Sequence, residues 1–220
     1  MKYLSLFENF EEYNPYDLMI MFPNERSQMI VKEIKKPNQN LNLVEDLISL
    51  GANLEWVDES NNSFTLLHHC AWKDKPIIAE LLIKAGANVD AQDISNRSPL
   101  HLCATYNRIK VGKLLLDSGC NPNSVNKDGE SPLHFAVNWK KAHFVELLLS
   151  YSANPNLQDD LDMSTPLHKA MHEYSLEIPK MLLDAGADPE LENSLHHTAE
   201  YIARFNGYTD IVKLIERYKK

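Results

Sequence analysis

The 220-residue chain is short of several things that enzymes and exported proteins use. It holds only seven glycines. None forms a Gly-rich phosphate-binding loop, and no G-x-S-x-G, H-E-x-x-H or C-x-x-C motif occurs. It holds three cysteines, Cys70, Cys103 and Cys120, an odd number that fits a reducing compartment better than a disulfide framework. Basic residues are scarce beside acidic ones, 22 against 31, giving a formal net charge of -9. A binder of phosphate backbones needs the opposite balance, so no nucleic acid is expected. Long apolar runs are missing. "LMIMF" is far too short to span a bilayer, and the acidic opening "MKYLSLFENFEEYN" does not read as a secretory signal. No membrane contact is expected, and a cytoplasmic location is, which makes the sequons at Asn61 and Asn96 chance matches.

What the chain does have is a period. "TLLHHCA" begins at Thr65, "SPLHLCA" at Ser98, "SPLHFAV" at Ser131 and "TPLHKAM" at Thr165, spaced by 33, 33 and 34 residues. A degenerate copy, "TAEYIAR", follows 33 residues later at Thr198. A second phrase keeps the same beat: "GANLEWVD" at Gly51, "GANVDAQD" at Gly86, "GCNPNSVN" at Gly119, "SANPNLQD" at Ser152 and "GADPELEN" at Gly186. An active site is rarely copied at a constant interval, whereas a structural unit is. Within Asn126–Asp159, "NKDGES" reads as a turn, Ser131 as an N-cap and Pro132 as the first helical residue. A short helix should reach about Trp139, and "KKAHFVELLLSYS" should form a second. Helices of two to three turns are marginal alone, so neighbouring repeats must bury their apolar faces. The triplets Leu81-Leu82-Ile83, Leu114-Leu115-Leu116, Leu147-Leu148-Leu149 and Met181-Leu182-Leu183 recur in register for that purpose, with Leu214-Ile215 last.

The pattern T/S-P-L-H-x-A followed by L-L-x-x-G-A resembles the ankyrin repeat over Gly51 to Tyr218. The resemblance implies an all-α solenoid of about six stacked helix pairs, with projecting loops like β-hairpins. The expected division is an extension at 1–23, a divergent N-terminal repeat at 24–57, repeats at 58–90, 91–123, 124–156 and 157–190, and a capping repeat at 191–220. "NPYDLMIMF" should add a helix over the N-terminal end, interrupted at Pro23. Lys213, Glu216, Arg217, Lys219 and Lys220 should give the last helix the polar face a terminal repeat needs. One extra residue within Asp159–Ser164 should reshape that finger. Ser152 stands where the other copies have a helix-ending glycine.

Repetition also changes the reading of the reactive side chains. His68, His101, His134 and His168 share one place in successive repeats, about 8–10 Å apart, and cannot converge on one metal. Their expected role is structural, bonding the repeat-opening hydroxyl and loop backbone, as the resemblance also implies. Cys70 and Cys103 should be buried and inert, and Cys120, in a loop, more exposed. Of the pairs His68-His69 and His196-His197, the histidines outside the repeated place read as solvated loop residues, with a partner-facing His197 and pH sensing as the weaker alternatives. No cofactor, metal or catalytic residue is expected.

Function should sit where equivalent residues differ. The resemblance places two rows on the concave face: Trp72, Thr105, Asn138, His172 and Phe205, then Lys73, Tyr106, Trp139, Glu173 and Asn206. Aromatic residues there are favoured hot spots. Ile94 and Leu161 at the finger tips are apolar where solvent is expected, and Arg97, Lys127 and Glu130 lie beside them; Trp56 either extends the surface or packs inward. The candidate partner-binding set is therefore Trp72, Lys73, Tyr106, Trp139, His172, Glu173, Phe205, Ile94, Arg97, Lys127, Glu130 and Leu161. The expected function is a monomeric, non-catalytic module gripping a protein partner as adaptor, inhibitor or effector. A transcription-factor inhibitor resembling those of Rel-type factors, or a pathogen effector in a host cell, are the alternatives; a metal protein or enzyme built on the histidines is a weaker one.

Overall fold

Ser131 and His134 show how one repeat begins. Ser131 has extended backbone and its hydroxyl accepts the His134 N–H, while Pro132 needs no partner at the first helical position. The Thr65 and Thr165 hydroxyls cap their helices in the same way, Ser98 has the same extended backbone, and Pro99 and Pro166 again take the first helical position, where Leu66 follows Thr65. The computed structural model describes residues 15–219. Residues 1–14, with most of the expected extension, and Lys220 lie outside the described residues.

Thirteen helices are formed among the described residues: α1 (Pro15–Ile20), α2 (Pro23–Lys35), α3 (Leu41–Ser49), α4 (Leu66–Lys73), α5 (Pro76–Lys84), α6 (Pro99–Tyr106), α7 (Ile109–Asp117), α8 (Pro132–Asn138), α9 (Ala142–Ser150), α10 (Pro166–Ala170), α11 (Glu177–Asp184), α12 (Ala199–Phe205) and α13 (Thr209–Glu216). From α2 onward they form six successive pairs. The inner helices α2, α4, α6, α8, α10 and α12 stack on one another, and the outer helices stack behind them. One continuous core runs through the stack, with Leu82, Leu115, Leu148 and Leu182 fully buried in equivalent places. Each contributes about 1.5–3 kcal/mol. Ala104, Ala136 and Ala170 are buried where inner helices meet.

Helix ends are set by left-handed residues. Asp74, Asn107, Lys140 and Gly207 all take positive φ nine residues after their repeat openings. Tyr174 stands at this place in the fifth pair and does not, and α10 stops after five residues. Ser152 takes the glycine conformation at φ 60 without being glycine, an arrangement that strains an L-residue.

Three ladders tie pair to pair. At the finger bases, side chains accept the backbone N–H one repeat on: Glu55 from Asn88, Asp90 from Asn121, Asn123 from Asn154 and Asn156 from Asp188, at 2.7–2.9 Å. At the tips, backbone N–H groups of Ile94, Lys127, Asp160 and Ser194 donate to carbonyls of Asn62, Ser95, Asp128 and Asp162 in the preceding finger. The third ladder is the histidines, described below. The fingers are less uniform than the repeat suggests. Three close on themselves over four residues, from Asp93 to Arg97, Asn126 to Glu130 and Asn193 to His197. Asp159 to Ser164 needs five, and Asp58 to Phe64 needs six. The first finger is thus also irregular, which the sequence reading did not anticipate. Only isolated bridges, Asp58 with Phe64 and Glu192 with Thr198, give hairpin pairing among the described residues.

At the N-terminal end, α1 and α2 are separate helices with Pro23 opening the second. The buried Arg26 guanidinium donates to carbonyls of Leu18, Met19 and Leu50, fixing α1 against the first pair. At the other end, Lys213, Glu216, Arg217 and Lys219 are exposed, and Lys219 bridges Glu190 and Glu200. That end is not wholly polar: Tyr201 and Phe205 of α12 are 50% and 82% exposed.

Candidate partner-binding surface

The repeated histidines resolve first. His68, His101, His134 and His168 are at most 1% exposed. Each Nδ1 accepts the backbone N–H of its own repeat-opening residue at 3.0–3.2 Å. An N–H donor fixes Nδ1 as the acceptor, so the neutral ring carries its proton on Nε2. Nε2–H then donates to the carbonyl of Arg97, Glu130, Ser164 or His197 in the next finger, at 2.8–3.1 Å. Both nitrogens are engaged in holding repeats together. Burial pushes His68 and His101 from 6.5 to about 4, and lowers His134 and His168 in the same sense.

His69 is not solvated. It is fully buried, and its Nε2 lies 3.2 Å from an Asp58 carboxylate oxygen. Burial lowers its pKa to about 4. Its neighbours Phe64 and Trp72 form an aromatic cluster with it, which adjacent-residue reasoning on one helix did not disclose. His196 is exposed as expected, whereas His197 is half-buried against Tyr201. Cys120 is also a correction: it is 4% exposed, because its loop folds under the core. Burial raises its thiol to about 12 and those of Cys70 and Cys103 further. All three are free.

The residues that differ between repeats divide into committed and available ones. Trp72 is half-buried, packs on the core and meets Phe64 edge-on, with the Lys73 ammonium 3.7 Å from its ring centroid. Trp56 likewise packs against the core. Arg97 is half-buried and bound to Asp93 at 2.7 Å. Glu130 is half-buried and accepts from Asn138; desolvation raises its carboxyl. Glu173 is exposed but held by Lys140 at 2.6 Å, and His172 is exposed beside it. Asn138, Lys140, His172 and Glu173 rim a cavity of about 90 Å³ beneath which α10 is cut short.

Tyr106 and Trp139 are the available rings. They are 44% and 55% exposed, at equivalent places on neighbouring inner helices. Trp139 is the residue that ends α8, so its backbone is fixed while its ring stands in solvent. Ile94 and Leu161 at the tips are 59% and 65% exposed, and Lys127 is exposed between them. Leu195, one finger further, is 66% exposed and belongs with them. Its signal was the tip register itself. Tyr174 and Tyr201 are exposed residues that the candidate set omits. Each stands where the repeat elsewhere has a turn residue or a histidine, and that mismatch was the readable sign. Among the described residues, no cluster of His, Cys, Asp and Glu has metal-holding geometry. No helix there is long and apolar enough to cross a membrane.

A stack of short helix pairs on one elongated core, with variable residues on its inner helices and tips, defines a solenoid that presents an extended contact surface. The family model for ankyrin repeats (3 copies) matches residues 32–126, 67–159, 100–193 and 133–219, and the chain belongs to this family. Comparison with curated proteins gives no match. Ankyrin repeats make the chain a protein–protein interaction module of a typically non-catalytic kind.

Proposed function

We propose that the chain is a non-catalytic adaptor, inhibitor or effector that holds one protein partner along the inner-helix face and finger tips. The observation that carries this is the pair Tyr106 and Trp139. Both lie at a place where the repeat imposes no residue, and both keep about half their surface in water. Burying such rings against a partner is favourable, and tyrosine and tryptophan dominate interface energetics. Ile94, Leu161 and Leu195 extend the apolar surface along the tips.

Capture from a lysate of the cell that makes the protein tests this. Tyr106→Ala with Trp139→Ala should remove the captured partner and leave the melting curve within the small range typical of surface substitutions. Trp72 stays intact in this experiment, because its ring supports Phe64 and the core. Undiminished capture by the double variant refutes the assignment.

A further inference from the structure

The negative charge of the molecule is not evenly spread. The five finger segments, residues 53–64, 88–97, 121–130, 154–164 and 188–197, hold thirteen acidic and two basic residues. Their formal charge is −11, and the remaining residues, with eighteen acidic and twenty basic, sum to +2. Much of this charge lacks a counterion. Among the described residues Glu59, Asp128 and Asp160 are exposed and have no cationic partner within 4.0 Å. The tip ladder places two of them on touching fingers, since the Asp160 N–H donates to the Asp128 carbonyl. The outer helices, by contrast, mix both signs, as Lys84 with Glu80 and Lys180 with Asp184 illustrate.

The exposed rings of the inner-helix face suit cations as well, and Asn138, next to Trp139, donates to the Glu130 carboxylate of a finger. Lys73 already covers the Trp72 ring, and Arg108 sits 5.8 Å from the Tyr106 centroid. Trp139, the most exposed of the three, has no cation over it among the described residues. An exposed indole favours a guanidinium or ammonium group over its face.

Resting on the interaction reading above, we propose that the face of Tyr106 and Trp139, bordered by the acidic fingers, docks an extended protein segment rich in Lys and Arg. Its cations meet the finger carboxylates, one stacks on Trp139, and intervening apolar side chains rest on Ile94 and Leu161. A second copy of the chain does not fit, because two such finger arrays repel. Nucleic acid and anionic membrane are repelled by the same field. Repeats stack about 8–10 Å apart, so four steps from first to fifth finger span roughly 40 Å, or about 12 extended residues.

The test is selection of a random peptide library, about 12 residues long, on the full chain, with Trp139→Ala as counter-target. Enriched peptides should be Lys/Arg-rich and depend on Trp139. Their affinity should fall at least tenfold between about 0.05 and 0.5 M salt, because surface charges are screened over that range. The exposed-site variant Glu59→Gln, Asp128→Asn, Asp160→Asn should weaken them about tenfold while keeping the native melting curve. Enrichment of neutral or acidic peptides that still need Trp139 overturns this inference and leaves the interaction surface standing. Absence of any Trp139-dependent enrichment overturns both. Salt-insensitive binding, or full affinity in the neutralised variant, overturns the charge argument alone.

Discussion

Lowering the pH from 7 to 5 should loosen the whole stack, and the histidine ladder sets the size of the effect. His68 and His101 move from 6.5 to about 4 on folding because they are buried. Protonating Nδ1 also turns an accepted N–H bond into two opposed N–H groups. The folded state therefore prefers the neutral ring. That preference is complete above pH 6.5, declines as pH falls below it, and is gone below about 4. At pH 5 an unfolded ring of ordinary pKa gains a proton-binding factor of about 30 over the folded one, about 2 kcal/mol per histidine. The two together lose about 4 kcal/mol, a large part of the 5–15 kcal/mol typical of a domain. His69, His134 and His168 shift in the same sense and add to the loss. Glu130, whose carboxyl is raised by desolvation, works in the opposite sense. Urea unfolding followed by circular dichroism at pH 7, 6 and 5 measures the effect, and NMR of the imidazole carbons identifies the groups. An unfolding midpoint that does not move, or ladder histidines that titrate near 6.5 in the folded protein, refutes the reasoning.

Gly112→Ala should lower stability by about 1–3 kcal/mol in urea unfolding, since the new methyl would sit 2.6 Å from the Phe144 ring in a filled core. Leu148→Ala removes a fully buried side chain from the central repeat and should lower stability by about 2–5 kcal/mol in the same assay. Gly129→Ala combines a backbone φ of +72 with a methyl 2.5 Å from the Asp160 N, so the Asp160–Asp128 tip bond should open and amide exchange at Asp160 should speed up. Thiol reagents should leave Cys70, Cys103 and Cys120 unmodified until the chain unfolds, because burial blocks access and disfavours every thiolate. Rapid labelling of Cys120 in the native chain would contradict its placement.

Periodicity made the helix pairs legible. An N-cap hydroxyl, a proline and a leucine triplet at a constant interval are local signals, and a solenoid needs only local packing to turn them into a fold. The four histidines were legible for the same reason. Trp72 and Tyr106 illustrate the limit. They lie one residue apart in repeat register, yet one ring folds onto Phe64 and the other stands in solvent. The repeat pattern does not carry the difference: Phe64 is peculiar to its copy, the others having Arg97, Glu130, Ser164 and His197 at that place. His69 and Cys120 failed similarly: their burial is created by the first finger's Asp58 and by the core beneath a loop.

The sequence by itself therefore determined the architecture, the repeat beat, the structural role of the histidines and the excess of negative charge. Tertiary structure alone decided which rings remain available, which carboxylates are already paired, and how the fingers lace into one tip ladder. The physical reason is that a repeat fixes what every copy must share, whereas exposure depends on contacts that differ from copy to copy.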